Sequence, residues 1–339
     1  MASIRALVCR EPGDLALEDR PEPRRGASEV LVRIRRVGIC GTDYHIFEGT
    51  HPFLQYPRVI GHELAAEVVE APPGSGIAPG AIYAVNPYIS CGHCVACRAG
   101  KRNCCVSIAV LGVHRDGGMT EFITIPVENL IPAEGLSVDE CAAVEFLAIG
   151  AHAVRRGAVN RGDRALIVGA GPIGLGAALF AHISGARVAV VDREAERAAT
   201  AKAIAGADIL SAGADLADAV AEYTNGEGFD IVFDATGTVA AMQKGFDHVA
   251  HGGRYVLVSV VREAITFQDP DFHRKELTLL GSRNATSEDF SRVIAAIRNR
   301  DVKVADLITH RTTLAGAVAD IPKWATMKTG LIKAVVEVG

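Results

Sequence analysis

A glycine-rich turn between a short apolar segment and a helical segment restricts the fold of this 339-residue chain most strongly. Residues 165–168 lead into Gly169-Ala-Gly171-Pro172-Ile173-Gly174, and residues 175–184 have a helical pattern. In such a turn the first glycine permits a tight bend, the second lets a pyrophosphate approach the backbone, and the third lets the helix pack on the strand. The helix amino terminus attracts the phosphates. The sequence therefore predicts a dinucleotide-binding unit.

The segments around this turn predict a doubly wound parallel sheet of the Rossmann type, and so an α/β fold. Helical segments separate most of the short, continuously apolar strands, which is typical of a parallel sheet covered on both faces. The predicted strands are residues 165–169, 187–191, 230–234, 254–259 and 277–281.

The chain before this sheet has a different pattern. Apolar and polar residues alternate over 28–38, and further short strand candidates lie between turn clusters. We expect an irregular, mostly antiparallel β domain over about the first 130 residues. Ser137 and Glu140 have the spacing of a helix start, and this helix should run to Arg156. A helix at 288–300 and a strand at 330–338 end the chain, and periodicity alone leaves open which domain they join.

Composition excludes several classes of partner. The 35 basic and 40 acidic residues give a formal charge of −5 without a block of like charge, so neither nucleic acid nor a membrane surface is indicated. No apolar run approaches the roughly 20 residues of a membrane-spanning helix, and from the short apolar stretch near the amino terminus we expect no secretory signal. We expect a soluble, cytoplasmic protein of two domains.

Cysteines are concentrated in one short segment. Cys91, Cys94 and Cys97 recur every third position, and the adjacent pair Cys104 and Cys105 follows. Four thiolates at such spacing can close a tetrahedral shell around zinc, which is typical of a structural site. An iron–sulfur cluster and unligated thiols are the alternatives, and spacing leaves Cys104 and Cys105 competing for the fourth position.

A second metal site is predicted from two separate turns. Cys40 opens the segment Cys-Gly-Thr-Asp-Tyr-His, and His62 precedes Glu63. One cysteine, one histidine and a third ligand would leave an open position on zinc, as Lewis-acid catalysis on an alcohol requires. Taken singly, a cysteine like Cys40 or a histidine like His62 is more typical of a protein core. Their occurrence in one chain with the dinucleotide turn favours a role as metal ligands.

Asp192 is the candidate for recognition of the adenosine ribose. It ends the predicted strand 187–191 and lies 21 residues beyond Gly171. An acidic residue there accepts hydrogen bonds from the ribose, and its charge disfavours the additional phosphate of NADP. Arg193 would partly offset that repulsion, and capping of the next helix is the alternative role for Asp192. We expect NAD rather than NADP.

Together these motifs resemble the zinc-containing medium-chain dehydrogenases, which include alcohol, sorbitol and threonine dehydrogenases. The resemblance covers the whole chain and includes Glu145 and Gly150-Ala-His152. It implies a GroES-like catalytic domain formed by residues 1–150 and 288–339 and a Rossmann NAD-binding domain formed by residues 151–287. It also implies two zinc ions per chain, one catalytic and one structural, with Cys105 as the fourth structural ligand.

The resemblance further implies roles for residues around the catalytic zinc. Cys40 and His62 would be ligands, and Asp43 would orient the histidine. Thr42 and His45 would pass the alcohol proton to solvent.

Two carboxylates complete the implied site. Glu63 resembles an exchangeable carboxylate beside the metal, and Glu145 would reach the zinc directly or through water. Glu145 stands where the liver-type alcohol branch has a cysteine, which favours a sugar-like substrate. Phe146 departs from the family pattern, in which a proline commonly follows the glutamate.

Within the family, segments 113–118, 269–276 and 281–286 resemble the bacterial sugar-acid dehydrogenases of the L-galactonate 5-oxidoreductase type. A carboxylated substrate needs a cationic partner, and Arg115 or Arg283, with Asn284 beside it, are candidates. Both arginines are equally consistent with ordinary surface residues.

The expected reaction is hydride transfer between NAD(H) and a secondary alcohol of a polyol or sugar acid. A simple alcohol or L-threonine dehydrogenase is the alternative within the fold, and a catalytically silent zinc or NAD(H) sensor is the alternative from another class. By analogy with the polyol branch we expect a homo-oligomer, either a tetramer or a dimer.

Overall fold

The computed structural model describes residues 3–52, 54–327 and 330–339 and divides into two compact units. Unit 1 comprises Met1–Phe146 and Thr286–Gly339, and unit 2 comprises Leu147–Ala285. These boundaries differ by only a few residues from the predicted division into 1–150 with 288–339 and 151–287. None of the helices among the described residues combines the length and apolar character needed to cross a membrane.

The first part of unit 1 consists mainly of strands. They are β1 (Ser3–Glu11), β2 (Asp14–Pro21), β3 (Glu29–Ile39), β4 (Arg58–Val59), β5 (Glu63–Glu70), β6 (Ile82–Val85), β7 (Tyr88–Ile89), β8 (Ala109–Val110), β9 (Phe122–Pro126) and β10 (Leu130–Pro132). The helices of this part are α1 (Gly41–Phe47), α2 (Val95–Arg98) and α3 (Val138–Arg156), of which α3 continues into unit 2. The predicted helix start is present, because the Glu140 carboxylate accepts the Ser137 N–H at 2.7 Å.

Unit 2 alternates strands and helices as predicted. The strands are β11 (Arg164–Val168), β12 (Arg187–Val191), β13 (Asp208–Ile209), β14 (Phe229–Asp234), β15 (Val249–Leu257) and β16 (Thr278–Gly281). The helices are α4 (Pro172–Ile183), α5 (Ala195–Ala205), α6 (Leu216–Thr224), α7 (Val239–Lys244) and α8 (Asp269–Arg274).

The last segment of the chain belongs to unit 1. Its elements are α9 (Ser287–Arg298), β17 (Ile308–Thr313), α10 (Ala317–Thr326) and β18 (Lys333–Glu337). Strand β18 pairs antiparallel with β3, and β17 pairs in parallel with β18. The pairing of β18 with β3 therefore places the last segment with the first part of the chain, which periodicity alone left open.

Strand β3 is the centre of the main sheet of unit 1. The strand order is β10-β6-β5-β3-β18-β17, with β9 also paired to β3. The predicted alternation is present only in part. Val30, Val32 and Ile34 are buried in the core of this unit and Arg33 is exposed, but Leu31 on the other face of the strand is buried as well.

The sheet of unit 2 is parallel throughout, in the order β13-β12-β11-β14-β15-β16. The predicted strand 187–191 coincides with β12, whereas β15 begins at Val249, earlier than the predicted residue 254. His251, Gly252 and Gly253 interrupt the apolar pattern at the start of β15, so hydrophobicity alone does not detect it.

An ion-pair network fastens the start of α3 to the main sheet of unit 1. Asp139 accepts from Arg36 on β3 at 3.0 Å and from Arg311 on β17 at 2.6 Å. Glu337 lies 3.4 Å from Arg311. The hydrogen bond from Arg311, supported by Arg36, lowers the pKa of Asp139.

The Asp139 network should stabilise unit 1 in a pH-dependent manner. A carboxyl group whose pKa is lowered on folding contributes stability above its unfolded pKa of about 3.9, and this contribution is lost as the pH falls through the folded pKa. We expect Asp139→Asn to lower the free energy of unfolding by about 1 kcal/mol at pH 7. The difference from wild type should shrink as the pH falls below about 4. Urea unfolding across this range measures it.

Asp301→Asn serves as the control, because Asp301 is exposed and forms no ion pair within the described ranges. A loss in Asp139→Asn that is independent of pH would contradict the assignment.

Candidate active site

Two turns of unit 1 meet because the strands beside them are paired. Cys40 follows β3 and caps α1, whereas His62 immediately precedes β5. In the β3–β5 ladder Gly38 lies opposite Glu63. A Cβ atom on residue 38 would lie 2.1 Å from Glu63 Oε2, so only glycine leaves room for this carboxylate.

The sulfur of Cys40, a ring nitrogen of His62 and a carboxylate oxygen of Glu63 lie within 4.8 Å of one another. His62 is buried, and its Nδ1 has no hydrogen-bond partner among the described residues. A buried imidazole nitrogen without a partner is costly unless something else satisfies it. Sulfur, nitrogen and oxygen donors of these types are the ligands that zinc binds in catalytic sites, so the three residues fit a zinc ion.

Asp43 connects the two turns through the backbone. Its fully buried carboxylate accepts the Cys40 N–H at 2.9 Å and the Gly61 N–H at 3.1 Å. Because both carboxylate oxygens accept backbone N–H groups, Asp43 holds the two ligand-bearing turns together. That Asp43 also orients the ring of His62 stays a prediction.

Lys333 lies beside the three-residue group although the sequence analysis did not select it. Its ammonium donates to both oxygens of Glu63, at 2.7 and 2.8 Å, and to the Ile39 carbonyl at 3.0 Å. The ammonium also lies 4.3 Å from the centre of the Phe146 ring, a cation–π contact. Burial lowers the pKa of Lys333, but the Glu63 carboxylate raises it further, so the charged form is retained. The aromatic ring of Phe146 thus has a structural role, because it contacts the Lys333 ammonium.

Glu145 is buried on α3 and is not a member of the Cys40, His62 and Glu63 group. The hydroxyl of Tyr88 donates a hydrogen bond to Glu145 Oε1. Burial raises the pKa of Glu145 to about 6, while His62 and Tyr88 act in the opposite direction. Burial also raises the pKa of Tyr88, which keeps the phenol protonated as a donor.

Thr42 and His45 lie on α1, three positions apart and therefore on the same side of the helix. Thr42 Oγ1 is 3.7 Å from Cys40 Sγ. His45 is exposed, with its Nδ1 3.0 Å from Thr50 Oγ1. One end of this pair is thus at the candidate metal site and the other is in contact with solvent.

The cysteine loop forms a second, separate ligand group. The sulfurs of Cys91, Cys94, Cys97 and Cys105 lie within 4.8 Å of one another, which fits a tetrahedral zinc ion. Cys104 is exposed and outside this group, so Cys105 supplies the fourth sulfur. Backbone N–H groups of Cys97 and Val106 lower the pKa of Cys94 to about 6, which favours the thiolate that zinc binds.

The glycine-rich turn of unit 2 has the predicted conformation. Gly169 has φ +92°, and a Cβ on Gly174 would lie 1.8 Å from the Gly169 carbonyl oxygen. Apart from Gly171 itself and its neighbours in the chain, none of the described residues has a heavy atom within 4 Å of the position that a Gly171 Cβ would take. Pro172 and Ile173 begin α4 directly after Gly171. The turn therefore leaves open space at the amino end of a helix, which suits a pyrophosphate.

Asp192 lies at the carboxyl end of β12 beside this turn. Its carboxylate accepts the Ala170 N–H at 2.7 Å and the Glu194 N–H at 2.8 Å. The neighbouring Arg193 is exposed, and α5 begins at Ala195. Asp192 therefore braces the glycine-rich turn and the start of the next helix, and each oxygen retains a further lone pair for a ribose hydroxyl.

The predicted substrate residues lie in different units. Arg115 belongs to unit 1, is exposed, and has its guanidinium 3.6 Å from Glu29. Arg283 and Asn284 follow β16 in unit 2. Asn284 has φ +53°, a conformation that asparagine adopts more readily than most residues.

Sequence reasoning missed Tyr88 and Lys333. Lys333 carries a weak signal, because it is a single charged residue at the start of an otherwise apolar segment. Tyr88 follows Asn86-Pro87 without any comparable pattern. Only the packing of β7 and β18 places these two side chains at the carboxylates.

Two family models match the chain. The alcohol dehydrogenase GroES-like domain matches residues 26–135, within unit 1. The zinc-binding dehydrogenase model matches residues 172–299, which begin at α4 and end just after α9.

The similarity to known proteins extends over nearly the whole chain. The chain is 40% identical to the L-galactonate-5-dehydrogenase of Escherichia coli strain K12, with 99% of each chain covered. A solved structure of a short chain alcohol dehydrogenase (rspB) from E. coli CFT073 with NADH has a TM-score of 0.93 and 30% identity, covering 100% of both chains. L-idonate 5-dehydrogenase from E. coli K-12 MG1655 has a TM-score of 0.91 and 25% identity, covering 99% of both chains.

Removal of the Lys333 ammonium should destabilise unit 1. In Lys333→Met the buried Glu63 carboxylate loses its cation, and breaking a buried pair on one side costs about 3 kcal/mol. The double variant Lys333→Met/Glu63→Gln should recover part of this loss because no unpaired charge remains. Urea unfolding measures both changes in proteins that keep the structural zinc but from which the metal at Cys40, His62 and Glu63 has been removed, so that no ion replaces the lost ammonium.

Lys323→Met is the matched control, since Lys323 is an exposed lysine whose ammonium lies 3.1 Å from Asp320. It should cost less than about 1 kcal/mol. Equal stabilities of Lys333→Met and Lys323→Met would exclude the proposed contribution of the buried pair.

Proposed function

The chain belongs to the family of zinc-dependent alcohol dehydrogenases, and from this premise we propose that it transfers a hydride between NAD(H) and a secondary alcohol of a sugar acid. The grouping of Cys40, His62 and Glu63 within 4.8 Å carries the proposal, because these are the donors of a zinc site that acts on an alcohol. A dinucleotide turn in the same chain supplies the partner of the redox reaction.

Cys40 and His62, with Glu63, would hold the catalytic ion, and Cys91, Cys94, Cys97 and Cys105 would hold the structural ion. Zinc supplies Lewis acidity that makes a substrate hydroxyl more acidic, and NAD supplies the hydride acceptor. The substrate hydroxyl would give its proton to the Thr42 hydroxyl, which lies beside Cys40 and which would give up its own proton towards the exposed His45 on the same side of α1. Thr42 and His45 would together carry the proton from the buried site to solvent.

The substrate class follows from the relatives together with the chemistry of the site. Two similar proteins are named as 5-dehydrogenases of L-galactonate and L-idonate, which are both sugar acids. We assign this chain to the same class, with a secondary alcohol as the reacting group. The substrate carboxylate would pair with Arg115 or Arg283, assisted by Asn284, because guanidinium groups bind carboxylates through paired hydrogen bonds.

NAD is the proposed cofactor. Asp192 stands at the end of β12, where a carboxylate accepts hydrogen bonds from a ribose and repels the additional phosphate of NADP. Arg193 beside it is exposed and weakens this discrimination without reversing it. Thiolate ligands need reducing conditions, which supports a cytoplasmic location.

We also propose that the protein forms a homo-oligomer, a dimer or a tetramer. Strand β16 ends the parallel sheet of unit 2, and its Leu279 is 38% exposed. An edge strand with free backbone groups and an exposed apolar side chain favours pairing with a second copy.

An activity screen tests the reaction and the cofactor together. L-galactonate, L-idonate, alditols, simple alcohols and L-threonine should be offered with NAD and with NADP. We expect the highest kcat/KM with an L-aldonate and NAD. Cys40→Ser should lower kcat by at least about a thousandfold while NAD binding stays nearly unchanged, because the ligand is in unit 1 and the dinucleotide turn is in unit 2.

The control is Cys104→Ser, since Cys104 is exposed and outside both ligand groups. Full activity of Cys40→Ser would disprove the metal assignment. Preference for L-threonine or a simple alcohol would disprove the substrate class, and absence of turnover with every compound would favour a sensor.

Sedimentation analysis tests the assembly. Wild type should have two or four times the chain mass of 35.7 kDa. Leu279→Glu should shift the equilibrium towards the single chain because it places a charge on the edge strand. Val69→Glu is the matched control, since Val69 in unit 1 is also 38% exposed. A single-chain mass for wild type would contradict the proposal.

A further inference from the structure

Tyr88 joins the cysteine loop to the buried carboxylate of Glu145. Tyr88 is only 8% exposed and Glu145 only 3%, and the phenol donates directly to the carboxylate. Tyr88 lies on β7, three positions before Cys91, the first cysteine of the structural ligand group. No other hydrogen bond to the Glu145 side chain is present among the described residues.

The backbone of Tyr88 is fixed from several sides. Its N–H donates to Asn86 Oδ1 at 3.0 Å, and its carbonyl accepts from Asn129 Nδ2 at 3.4 Å. Asn129 also donates to the Asn86 carbonyl at 2.7 Å, and Tyr88 pairs with Val110 on β8. Since Asn129 is itself buried, this small network is shielded from competing water. The backbone that carries the phenol is therefore held by contacts that do not involve Glu145.

The carboxylates of the site differ in what holds them. Glu63 is within 4.8 Å of the ligand atoms of Cys40 and His62, whereas Glu145 is not part of that group. A free carboxylate beside a divalent cation would be drawn into its coordination shell, because the charge attraction is strong where water is excluded. The hydrogen bond from Tyr88 opposes this movement.

We propose that Tyr88 is a positioning residue that holds Glu145 outside the ligand shell formed by Cys40, His62 and Glu63. This inference rests on the proposed zinc site in unit 1. Glu145 then remains an acceptor for a water molecule or a substrate hydroxyl, and one coordination position stays available for the substrate. Loss of the phenol releases the carboxylate, which closes that position.

Cobalt substitution tests this inference without relying on turnover. Zinc at the readily exchanged site is replaced by Co²⁺ while the four-cysteine site keeps its zinc, and the visible spectrum reports the ligand set. In Tyr88→Phe we expect a changed cobalt spectrum and metal release to a chelator that is about tenfold slower, because a ligand is gained. A structural defect would instead accelerate release. The kcat value should fall more than the KM value rises.

Three further variants complete the experiment. Glu145→Gln alone should keep the wild-type cobalt spectrum, and in the Glu145→Gln background Tyr88→Phe should change neither spectrum nor release rate. Tyr83→Phe, a half-buried tyrosine on β6, is the matched control. The inference is overturned if Tyr88→Phe releases metal as fast as wild type or faster, or if Glu145→Gln alone changes the spectrum. Wild type that binds metal only at the cysteine loop would refute the proposed function itself.

Discussion

The pairing of β18 with β3 is the constraint on which the candidate active site depends. It brings Lys333 to the Ile39 carbonyl, 294 positions away in sequence, and to both oxygens of Glu63. A carboxylate as deeply buried as Glu63 would be costly without a cation, and the ammonium would be equally costly without the carboxylate. The two charges are therefore buried as a pair in the core of unit 1, and their pairing depends on the place of the last strand in the sheet.

Three of the buried carboxylates in this unit have three different kinds of partner. Asp43 accepts backbone N–H groups, Glu63 accepts an ammonium, and Glu145 accepts a phenol. The partner of each carboxylate limits how closely that carboxylate can approach a metal ion. Asp43 is bound to backbone N–H groups, Glu63 remains beside Cys40 and His62, and Glu145 is bound to the phenol of Tyr88. Three residues of the same chemical type thus have different roles because their neighbours differ.

The two ligand groups also differ in how they form. The cysteine group comes from a segment of 15 residues, with Cys97 on α2, and local turns bring the sulfurs together. The group of Cys40, His62 and Glu63 comes from turns whose meeting requires the β3–β5 ladder and the bridge made by Asp43. The first group is a property of a loop, and the second is a property of the folded sheet.

Sequence by itself determined the class of fold, the dinucleotide turn, the cysteine ligands apart from the fourth, and the pairing of Cys40 with His62 as metal-site candidates. These features depend on the local spacing of residues and on the periodicity of hydrophobic residues, and both can be read directly from the sequence. It did not detect β1 or β2, where charged residues interrupt the alternation, nor the two-residue strand β13. Spacing left Cys104 and Cys105 open and the family resemblance implied Cys105, whose sulfur the tertiary structure brings to the other three. Tertiary structure alone decided what Asp43 contacts, and that Tyr88 and Lys333 face the buried carboxylates. Those outcomes depend on contacts between distant segments, whose energies arise only when packing excludes water from the paired groups.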